Sequence, residues 1–269
     1  MMSSERNESD FVEALSRGLK VIRSFSTTHL ALSVTEVAEA TGLARPTARR
    51  LLLTLENLGY VRSANGVFSL TPKILELGMS YINAQGMWDI VQPHLVALVE
   101  QTRESSSMSQ LVGSDIVYTA RVPVAKIIGL SVHIGTRFPA VATSMGHVLL
   151  ADLSTRELDA VLKIPSQSSV VPRIRPSRKD IDKSLSEVKK RGWALSDERL
   201  SVGIRSVAAP VHDGSGTVVA AVNVTVNAAE TSISVLKKSH LPRLLSAAQA
   251  ISEDLARVSK LPTTEPLQP

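Results

Sequence analysis

The stretch SVTEVAEATGLARPTARRLLLTLENLGYVRSANGVFSL, residues 33–70, carries the signals that decide the fold. Ser33 and Glu36 have the S-x-x-E spacing of a capping box, in which a hydroxyl and a carboxylate accept hydrogen bonds from free backbone N–H groups at a helix start. The pattern therefore predicts a short helix over residues 34–41. Gly42 follows it, and glycine readily adopts the left-handed conformation that ends a helix and begins a tight turn.

A second helix is predicted to begin at Pro46, because proline fits the first turn of a helix. Apolar residues then recur at spacings of three and four, which places them on one stripe: Ala48, Leu51, Leu52, Leu55 and Leu58. Arg49 and Arg50 lie on the face opposite that stripe. The borders of the stripe carry Arg45, Thr47 and Thr54. This helix is predicted to bury one side and to present cations on the other.

A hairpin is predicted around Asn65-Gly66, since Asn-Gly is preferred in two-residue hairpin turns. The order helix, turn, basic helix, hairpin is that of a winged helix-turn-helix, whose second helix enters the major groove of duplex DNA. An ordinary solvated face is the alternative interpretation of Arg49 and Arg50, but the order and spacing of the signals favour DNA binding. The residues predicted to contact DNA are Thr35, Arg45, Pro46, Thr47, Arg49, Arg50, Thr54, Arg62 and Asn65.

Length and composition narrow the class of protein. The 269 residues, 43% of them hydrophobic, suffice for two domains with cores. The absence of cysteine excludes disulfides and thiolate metal sites and favours a reducing cytoplasm. Aromatic residues make up only 3%, too few for the stacking surfaces that bind single strands, so duplex DNA is the expected partner. With neither a signal-peptide core nor an apolar run of about 18 residues, the sequence predicts a soluble protein without a membrane partner.

The net charge of +5 suits a polyanionic partner. Residues 11–73 carry a local excess of positive charge, as expected of a DNA-binding domain. Residues 163–191 carry a second excess outside the winged domain. We interpret this second cluster as a solvated loop and helix face.

The predicted segments are a winged domain (10–72), a linker helix (73–86), a second domain (87–258) and a disordered tail (259–269). The winged domain begins with a helix from about residue 10, after frayed residues 1–9. Its apolar stripe is predicted to supply core: Val12, Leu15, Leu19 and Ile22. Thr71-Pro72 begins the linker with a hydroxyl cap and a proline at the first helical position, and the apolar face of the linker is available for a partner chain.

Helical patterns alternate with β-branched segments in the second domain. The predicted helices run from residue 90 toward 105, over 144–153, from 154, over 177–191 and over 233–258. The predicted strands are residues 108–112, 116–122, 127–134, 204–211 and 217–226. Consecutive hairpins flanked by helices favour an α+β fold with an antiparallel sheet, an arrangement common among small-molecule sensors.

The chain resembles the IclR family of bacterial transcription regulators from about Ala14 to Ala256. The segments that carry the resemblance are LSRGLKVIRSF, TEVAEATGLARPTARRLLLTLENLGYV, FSLTPKILELG, VGSDIVYTARVP, IGTRFPAVATSMGHVLLA, SDERLSVGIRSVAAPV and GTVVAAVNVT. Within the family it is similar to the branch that controls aromatic-acid catabolism through protocatechuate and β-ketoadipate. The resemblance implies a winged helix-turn-helix, a linker helix and a GAF-like effector-binding domain, in homodimers or tetramers bound to palindromic operators.

The resemblance also implies where a small-acid effector binds. The matching positions are Ile127, Leu130, Phe138, Ser144, Met145, Gly146, Asp197, Ile204, Ser206, Asn223 and Thr225. Two positions depart from the family pattern, because His147 stands where Arg or Lys is usual and Ala44 where a hydroxyl cap is common. We therefore expect the rim of the pocket and the start of the second winged-domain helix to differ here.

The residues themselves offer a physical argument for this pocket. Ser144 begins a predicted helix, and free N–H groups at a helix N-terminus attract anions such as small organic acids. A capping role for Ser144 is the equally weighted alternative. Arg121 and Arg137 either add positive charge for a carboxylate or lie on the surface. Polar residues in otherwise apolar strands need either a ligand or a backbone partner: Ser206, Asn223 and Thr225.

The sequence gives little support to enzymatic activity. Ala142 stands where a G-x-S-x-G nucleophile motif needs glycine. The six histidines are scattered without metal-ligand spacing, and no cofactor or metal is expected. Two functions remain: an effector-responsive transcription regulator of a catabolic operon, and a DNA-binding protein whose larger domain only assembles chains without a ligand.

Overall fold

The computed structural model describes residues 11–26, 28–78, 87–125 and 131–258. The chain divides into two compact units, Met1–Gln85 and Gly86–Pro269. Within the described ranges no helix is both long and apolar enough to cross a membrane. The predicted frayed residues 1–9 and the predicted disordered tail lie outside the described residues.

The N-terminal unit combines three helices with a three-stranded antiparallel sheet of order β1-β3-β2. The helices are α1 (Glu13–Ser24), α2 (Val34–Thr41) and α3 (Arg45–Asn57). The strands are β1 (Leu32–Ser33), β2 (Val61–Ala64) and β3 (Val67–Leu70). Its core contains Val21, Leu32, Val37, Ala48, Leu52 and Phe68. The winged helix-turn-helix predicted from the sequence is confirmed.

Local signals account for the boundaries of these elements. The Ser33 hydroxyl accepts a hydrogen bond from the Glu36 N–H at 3.3 Å, and the Glu36 carboxylate accepts one from the Ser33 N–H at 2.7 Å, which completes the predicted capping box. Gly42 ends α2 at φ +68°. Asn65 and Gly66 both have positive φ, +52° and +81°, as a two-residue hairpin turn requires.

The prediction that the α1 stripe supplies core is wrong for most of that stripe. Val12, Leu15 and Leu19 are 63%, 64% and 48% exposed, whereas Val21 is fully buried. The helix reaches the core through the face that carries Val21. Leu15 and Leu19 instead line an open groove between α1 and α3. Apolar periodicity identified the helix correctly but did not show which stretch of it is covered.

The C-terminal unit contains a six-stranded antiparallel sheet of order β6-β5-β4-β9-β8-β7. Its strands are β4 (Ser105–Val112), β5 (Asp115–Val122), β6 (Arg137–Pro139), β7 (Ala194–Asp197), β8 (Ile204–His212) and β9 (Val218–Asn227). Its helices are α4 (Met87–Thr102), α5 (Ser144–Asp152), α6 (Thr155–Leu162), α7 (Arg178–Arg191) and α8 (Leu241–Val258). The α+β prediction with an antiparallel sheet is confirmed.

The two faces of this sheet belong to different cores. One face packs against α4 and α8 through residues such as Leu95, Val222 and Leu244. The opposite face packs against α5 and α7 through residues such as Tyr118 and Met145. Alternate residues of a strand point to opposite faces, so β8 and β9 contribute to both cores. The candidate site lies on the face that carries α5.

Several predicted boundaries in this unit are corrected. Residues 131–134 were predicted as part of a strand but do not form one, because the chain turns at Gly135, φ +86°, and Arg137–Pro139 pairs with β5 instead. The remainder of that predicted strand, residues 127–130, lies outside the described residues. Strand β7 was not predicted. The helix predicted over 233–258 is present, but a π-helical turn, Leu236–His240, lies between its first residues, Ile233–Val235, and α8.

The structure describes only the first part of the predicted linker helix. The Thr71 hydroxyl accepts a hydrogen bond from the Lys73 N–H at 3.3 Å and begins a 3-10 turn, Pro72–Ile74. Residues 75–78 continue as a helix, and residues 79–86 lie outside the described residues. The hydroxyl cap and the proline at the helix start are therefore present as expected.

Candidate DNA-contacting face and effector cavity

The face of α3 opposite the core carries unpaired arginines. Arg45, Arg49 and Arg50 are exposed, whereas Ala48 and Leu52 on the other side are fully buried. None of these three guanidinium groups forms an ion pair with a carboxylate of the described residues. Unpaired cations on one helix face leave the charge available to an external polyanion. The α3 face is thus suited to phosphate and base-edge contacts.

The other predicted DNA contacts lie around α3 and on the hairpin. Thr47, Arg50 and Thr54 border the groove between α1 and α3, so they lie toward α1. On the hairpin, Arg62 Nε donates to the Ser69 hydroxyl at 3.2 Å, and Asn65 occupies the exposed tip. Pro46 is exposed in the first turn of α3, and Thr35 is half-buried in the first turn of α2. Ala44, at the start of α3, provides no side-chain cap.

A cavity of about 550 Å³, its mouth included, opens on the sheet face that carries α5. Seven of the predicted effector-binding residues line it: Phe138, Ser144, Met145, Ile204, Ser206, Asn223 and Thr225. Arg121, which the sequence left as either a pocket or a surface residue, lines it as well. Lining residues that sequence reasoning missed are Tyr118, Val132, Ala142, Ser196 and Leu200. Strand register is the signal that places some of them, since Ser196 pairs with Ser206 across β7 and β8.

Four predicted effector contacts are not among the residues seen to line the cavity. Ile127 and Leu130 lie outside the described residues. Gly146 has a packing role, because a Cβ there would lie 2.1 Å from the Ala140 carbonyl oxygen. Asp197 Oδ1 lies 2.6 Å from Arg205 Nε, and the carboxylate side chain is 41% exposed.

The start of α5 forms one wall of the cavity. The Thr143 hydroxyl accepts a hydrogen bond from the Gly146 N–H at 3.0 Å and caps the helix. The Ser144 hydroxyl instead lies 2.7 Å from the Ser206 hydroxyl. Ser144 therefore does not cap the helix. Thr143 has the capping role that the sequence analysis considered for Ser144.

A row of polar groups crosses the floor of the cavity. Arg121 Nη1 donates to the Ser107 hydroxyl at 2.9 Å, and the Ser107 N–H donates to Asn223 Oδ1 at 3.0 Å. Asn223 Nδ2 donates to the Thr225 hydroxyl at 3.0 Å. Burial holds the pKa of Arg121 below its ordinary value, yet an arginine remains charged in proteins. The floor therefore presents one half-buried cation in an array of fixed dipoles.

The aromatic wall of the cavity contains a titratable residue, Tyr118, that is held in its neutral form. Tyr118 and Phe138 make an edge-to-face contact, with ring centroids 5.6 Å apart. Burial raises the pKa of Tyr118 to about 12, so the phenol stays protonated near neutral pH. Arg137 lies outside the cavity, with its Nε 3.4 Å from Asp115 Oδ2. No group of acidic or histidine side chains within the described ranges is arranged to hold a metal ion.

His147 lies behind the cavity wall. Its side chain is buried, and its Nε2 lies 2.9 Å from the Val141 carbonyl oxygen. Burial lowers the pKa of His147 to about 4, and the nearby Arg199 and Arg191 guanidinium groups act in the same direction. The imidazole is therefore neutral near pH 7. The departure from the family pattern at this position places an uncharged ring next to Arg199.

Comparison with known proteins identifies both units. Residues 14–64 match the IclR helix-turn-helix domain, and residues 79–254 match the family described as bacterial transcriptional regulator IclR C-terminal. The Pca regulon regulatory protein of Pseudomonas putida is 34% identical over 247 residues, which cover 91% of this chain and 85% of that protein.

Two solved structures are informative about the fold and the cavity. A transcriptional regulator from a Rhodococcus species is 45% identical, with a TM-score of 0.80, and the match covers 92% of this chain and all of that one. The inducer-binding domain of PobR from Acinetobacter, a double mutant in complex with 3-hydroxybenzoic acid, is 26% identical with a TM-score of 0.55. That match covers 61% of this chain and 96% of the PobR domain. The chain belongs to the IclR family of bacterial transcriptional regulators.

Proposed function

We propose that this protein is a cytoplasmic regulator of a catabolic operon, whose affinity for a palindromic operator changes when a small aromatic or dicarboxylic acid occupies the cavity. The observation that carries the proposal is the cavity itself, in which apolar and aromatic walls surround a half-buried cation and fixed hydrogen-bonding groups. Such a combination suits a flat organic anion, because the walls bury the carbon skeleton and the polar groups fix its orientation.

The relatives support this ligand class. The Pseudomonas putida relative is named for the pca regulon. The related inducer-binding domain holds a hydroxylated benzoic acid.

For DNA, we propose that α3 lies in the major groove with Arg45 and Arg49 foremost, and that the wing carrying Arg62 and Asn65 reaches the adjacent groove. A palindromic operator requires a two-fold symmetric protein, so we propose a homodimer, or a tetramer formed from two dimers. The effector would favour one arrangement of the C-terminal domains. The linker helices would then change the separation of the two α3 helices relative to the ~34 Å half-site repeat.

The proposal is tested by titrating labelled DNA from the region upstream of its own gene with the full chain and following fluorescence anisotropy. Protocatechuate, β-ketoadipate and 3-hydroxybenzoate are added in separate arms, and benzamide serves as the uncharged control. We expect specific binding and a change in operator affinity with at least one acid. Retention of the operator with no effect of any acid would instead support a C-terminal domain that only assembles chains.

A thermal-shift arm separates these two outcomes further. A ligand that binds only the folded protein stabilises it by about 2.7 kcal/mol at a concentration one hundred times its Kd. A saturable rise in Tm with an acid is therefore expected of a sensor. An assembly domain without a ligand would show no rise with any of the acids.

A further inference from the structure

Arg121 is the half-buried cation of the cavity, and its hydrogen bonding is incomplete. One nitrogen, Nη1, donates to the Ser107 hydroxyl at 2.9 Å. The Nε atom is buried and has no hydrogen-bond partner within the described part of the chain. A buried N–H group of a charged side chain without a partner is costly and is usually satisfied by a ligand or an ion.

Several other arginines of the same unit contrast with Arg121, because they pair with a carboxylate. The pairs are Arg137 with Asp115, Arg173 with Glu198, Arg178 with Asp159 and Asp182, and Arg205 with Asp197. Arg121 makes no such pair with a carboxylate of the described residues. Because it is half-buried, it is also less accessible to water than an exposed arginine. The carboxylate that this guanidinium lacks is the one that an acidic ligand would bring.

The surroundings of Arg121 fix the direction in which it can bind. Ser107 pairs with Arg121 in the β4–β5 ladder and with Asn223 in the β4–β9 ladder. The Ser107 N–H also donates to Asn223 Oδ1. This hydrogen bond fixes Ser107, which in turn accepts the hydrogen bond from Arg121. The guanidinium is thereby held beside β4 at the lining of the cavity. Its hydrogen bonding is incomplete, and a planar guanidinium is suited to binding a carboxylate oxygen.

A second polar end of the cavity lies two strands away. Ser206 on β8 lies beyond β9 from β4 and two residues along the strand from the row of Ser107 and Asn223. Two strand spacings and this offset together amount to about 12 Å. The Ser144 and Ser206 hydroxyls at that end are 2.7 Å apart, and either can donate or accept. Tyr118 on β5 and Phe138 on β6 form an aromatic wall of the same cavity. This spacing accommodates a single ring that bears an acid on one side and a hydroxyl on the other.

We propose, on the basis of the function proposed above, that Arg121 is the specificity-determining residue of the cavity. It binds the carboxylate of the effector, while the Ser144–Ser206 pair binds a second polar group such as a ring hydroxyl. The cavity therefore discriminates between a hydroxybenzoate and the neutral amide of the same shape.

The test compares 3-hydroxybenzoate with 3-hydroxybenzamide, and protocatechuate with 3,4-dihydroxybenzamide, by calorimetric titration of the full chain. We expect wild type to bind the better acid at least about tenfold more tightly than its amide, because hydrogen bonds to charged groups contribute about 1.5–3 kcal/mol. Arg121→Gln should weaken binding of that acid by about 10- to 100-fold and change binding of the amide by less than about threefold. Arg156→Gln, which removes an exposed arginine of α6 outside the cavity, should match wild type.

Each outcome is decisive. Equal affinity of wild type for acid and amide overturns the role of Arg121 without any variant, and so does unchanged acid binding by folded Arg121→Gln. If Arg121→Gln fails to fold, the comparison of acid with amide in wild type and in Arg121→Lys decides the matter. Failure of wild type to bind any of the four compounds would overturn the proposed sensor function, and with it the role of Arg121.

Discussion

The Ser144 hydroxyl lies 2.7 Å from the Ser206 hydroxyl, and the two side chains are almost fully buried. The contact joins the first residue of α5 to strand β8, so it fixes the start of the helix over the sheet at one end of the cavity. Each hydroxyl is the partner of the other. Removal of one leaves a buried polar group that has lost this hydrogen bond.

Ser144→Ala and Ser206→Ala should each lower the free energy of unfolding by about 1–2 kcal/mol. The double variant should cost less than the sum of the two, because no hydroxyl is then left unpartnered. Urea denaturation of the four proteins measures the coupling. Ser186→Ala, at an exposed position of α7, is the matched control and should be neutral. Strict additivity of the two single effects would mean that the hydroxyls do not interact.

Gly146→Ala should destabilise the C-terminal unit by about 3 kcal/mol or prevent its folding, because overpacking against backbone cannot relax easily. The added Cβ would lie 2.1 Å from the carbonyl oxygen of Ala140. Gly214→Ala is the control in the same unit, since a Cβ there would have its nearest contact at 3.6 Å. Differential scanning calorimetry distinguishes the two variants. Similar Tm values for both would contradict the close approach of α5 to the turn before it.

Asp115→Ala should lower the free energy of unfolding by about 2–3 kcal/mol, since hydrogen bonds to a charged group are lost. Asp115 is 1% exposed and accepts hydrogen bonds from the Ser166 hydroxyl at 2.5 Å and the Gln167 N–H at 2.8 Å. The loop after α6 is held to the sheet through this carboxylate. Limited proteolysis should therefore cut the variant within this loop faster than wild type. Asp152→Ala, at an exposed carboxylate, should be cut at the wild-type rate.

Much of the N-terminal unit was predictable because its signals are local. The capping box of Ser33, the turn at Gly42 and the Asn65-Gly66 hairpin each depend on a few neighbouring residues. The exposure of Leu15 and Leu19 was not predictable, because apolar periodicity shows that a face is apolar and not what covers it.

The cavity depends on contacts between distant segments, so sequence alone revealed less of it. Seven lining residues were placed through the family resemblance, but Tyr118 and Leu200 were missed since nothing in their own segments marks them. The two interpretations of Ser144 could be separated only by the position of Ser206, which lies 62 residues further along the chain. Arg121 and Arg137 look alike in sequence. Only Arg137 has a carboxylate, Asp115, within ion-pairing distance in the described ranges.

Arg49→Ala should weaken binding to the operator by about 1–3 kcal/mol if Arg49 contacts a base edge. Its guanidinium is exposed on α3 and makes no ion pair with the described carboxylates. Anisotropy titrations with the operator and with unrelated DNA separate base contact from phosphate contact, because loss of a phosphate contact weakens both. Lys20→Ala removes an exposed cation of α1 and should leave specificity for the operator unchanged. Unaltered operator affinity of Arg49→Ala would exclude Arg49 from the interface.

Acidification should destabilise the C-terminal unit through His147. Burial lowers the pKa of His147 from 6.5 to about 4, so the unfolded chain binds a proton there more readily than the folded chain. The contribution of the neutral ring to the free energy of unfolding is therefore complete above about pH 6.5 and declines as the pH falls toward 4. It amounts to about 3 kcal/mol across that window. Urea denaturation of wild type and His147→Gln at intervals from pH 7.5 to 4 measures it.

The difference between the two pH profiles isolates His147, because the carboxylates that also titrate in this range are common to both proteins. Wild type should lose up to about 3 kcal/mol more than His147→Gln between pH 7.5 and 4. The buried ring lies 2.9 Å from the Val141 carbonyl and near Arg199, so protonation there would place a third cation near two guanidinium groups, Arg199 and Arg191. Parallel profiles for the two proteins would mean that the ring reaches solvent on protonation, and that the wall behind the cavity opens more easily than its burial indicates.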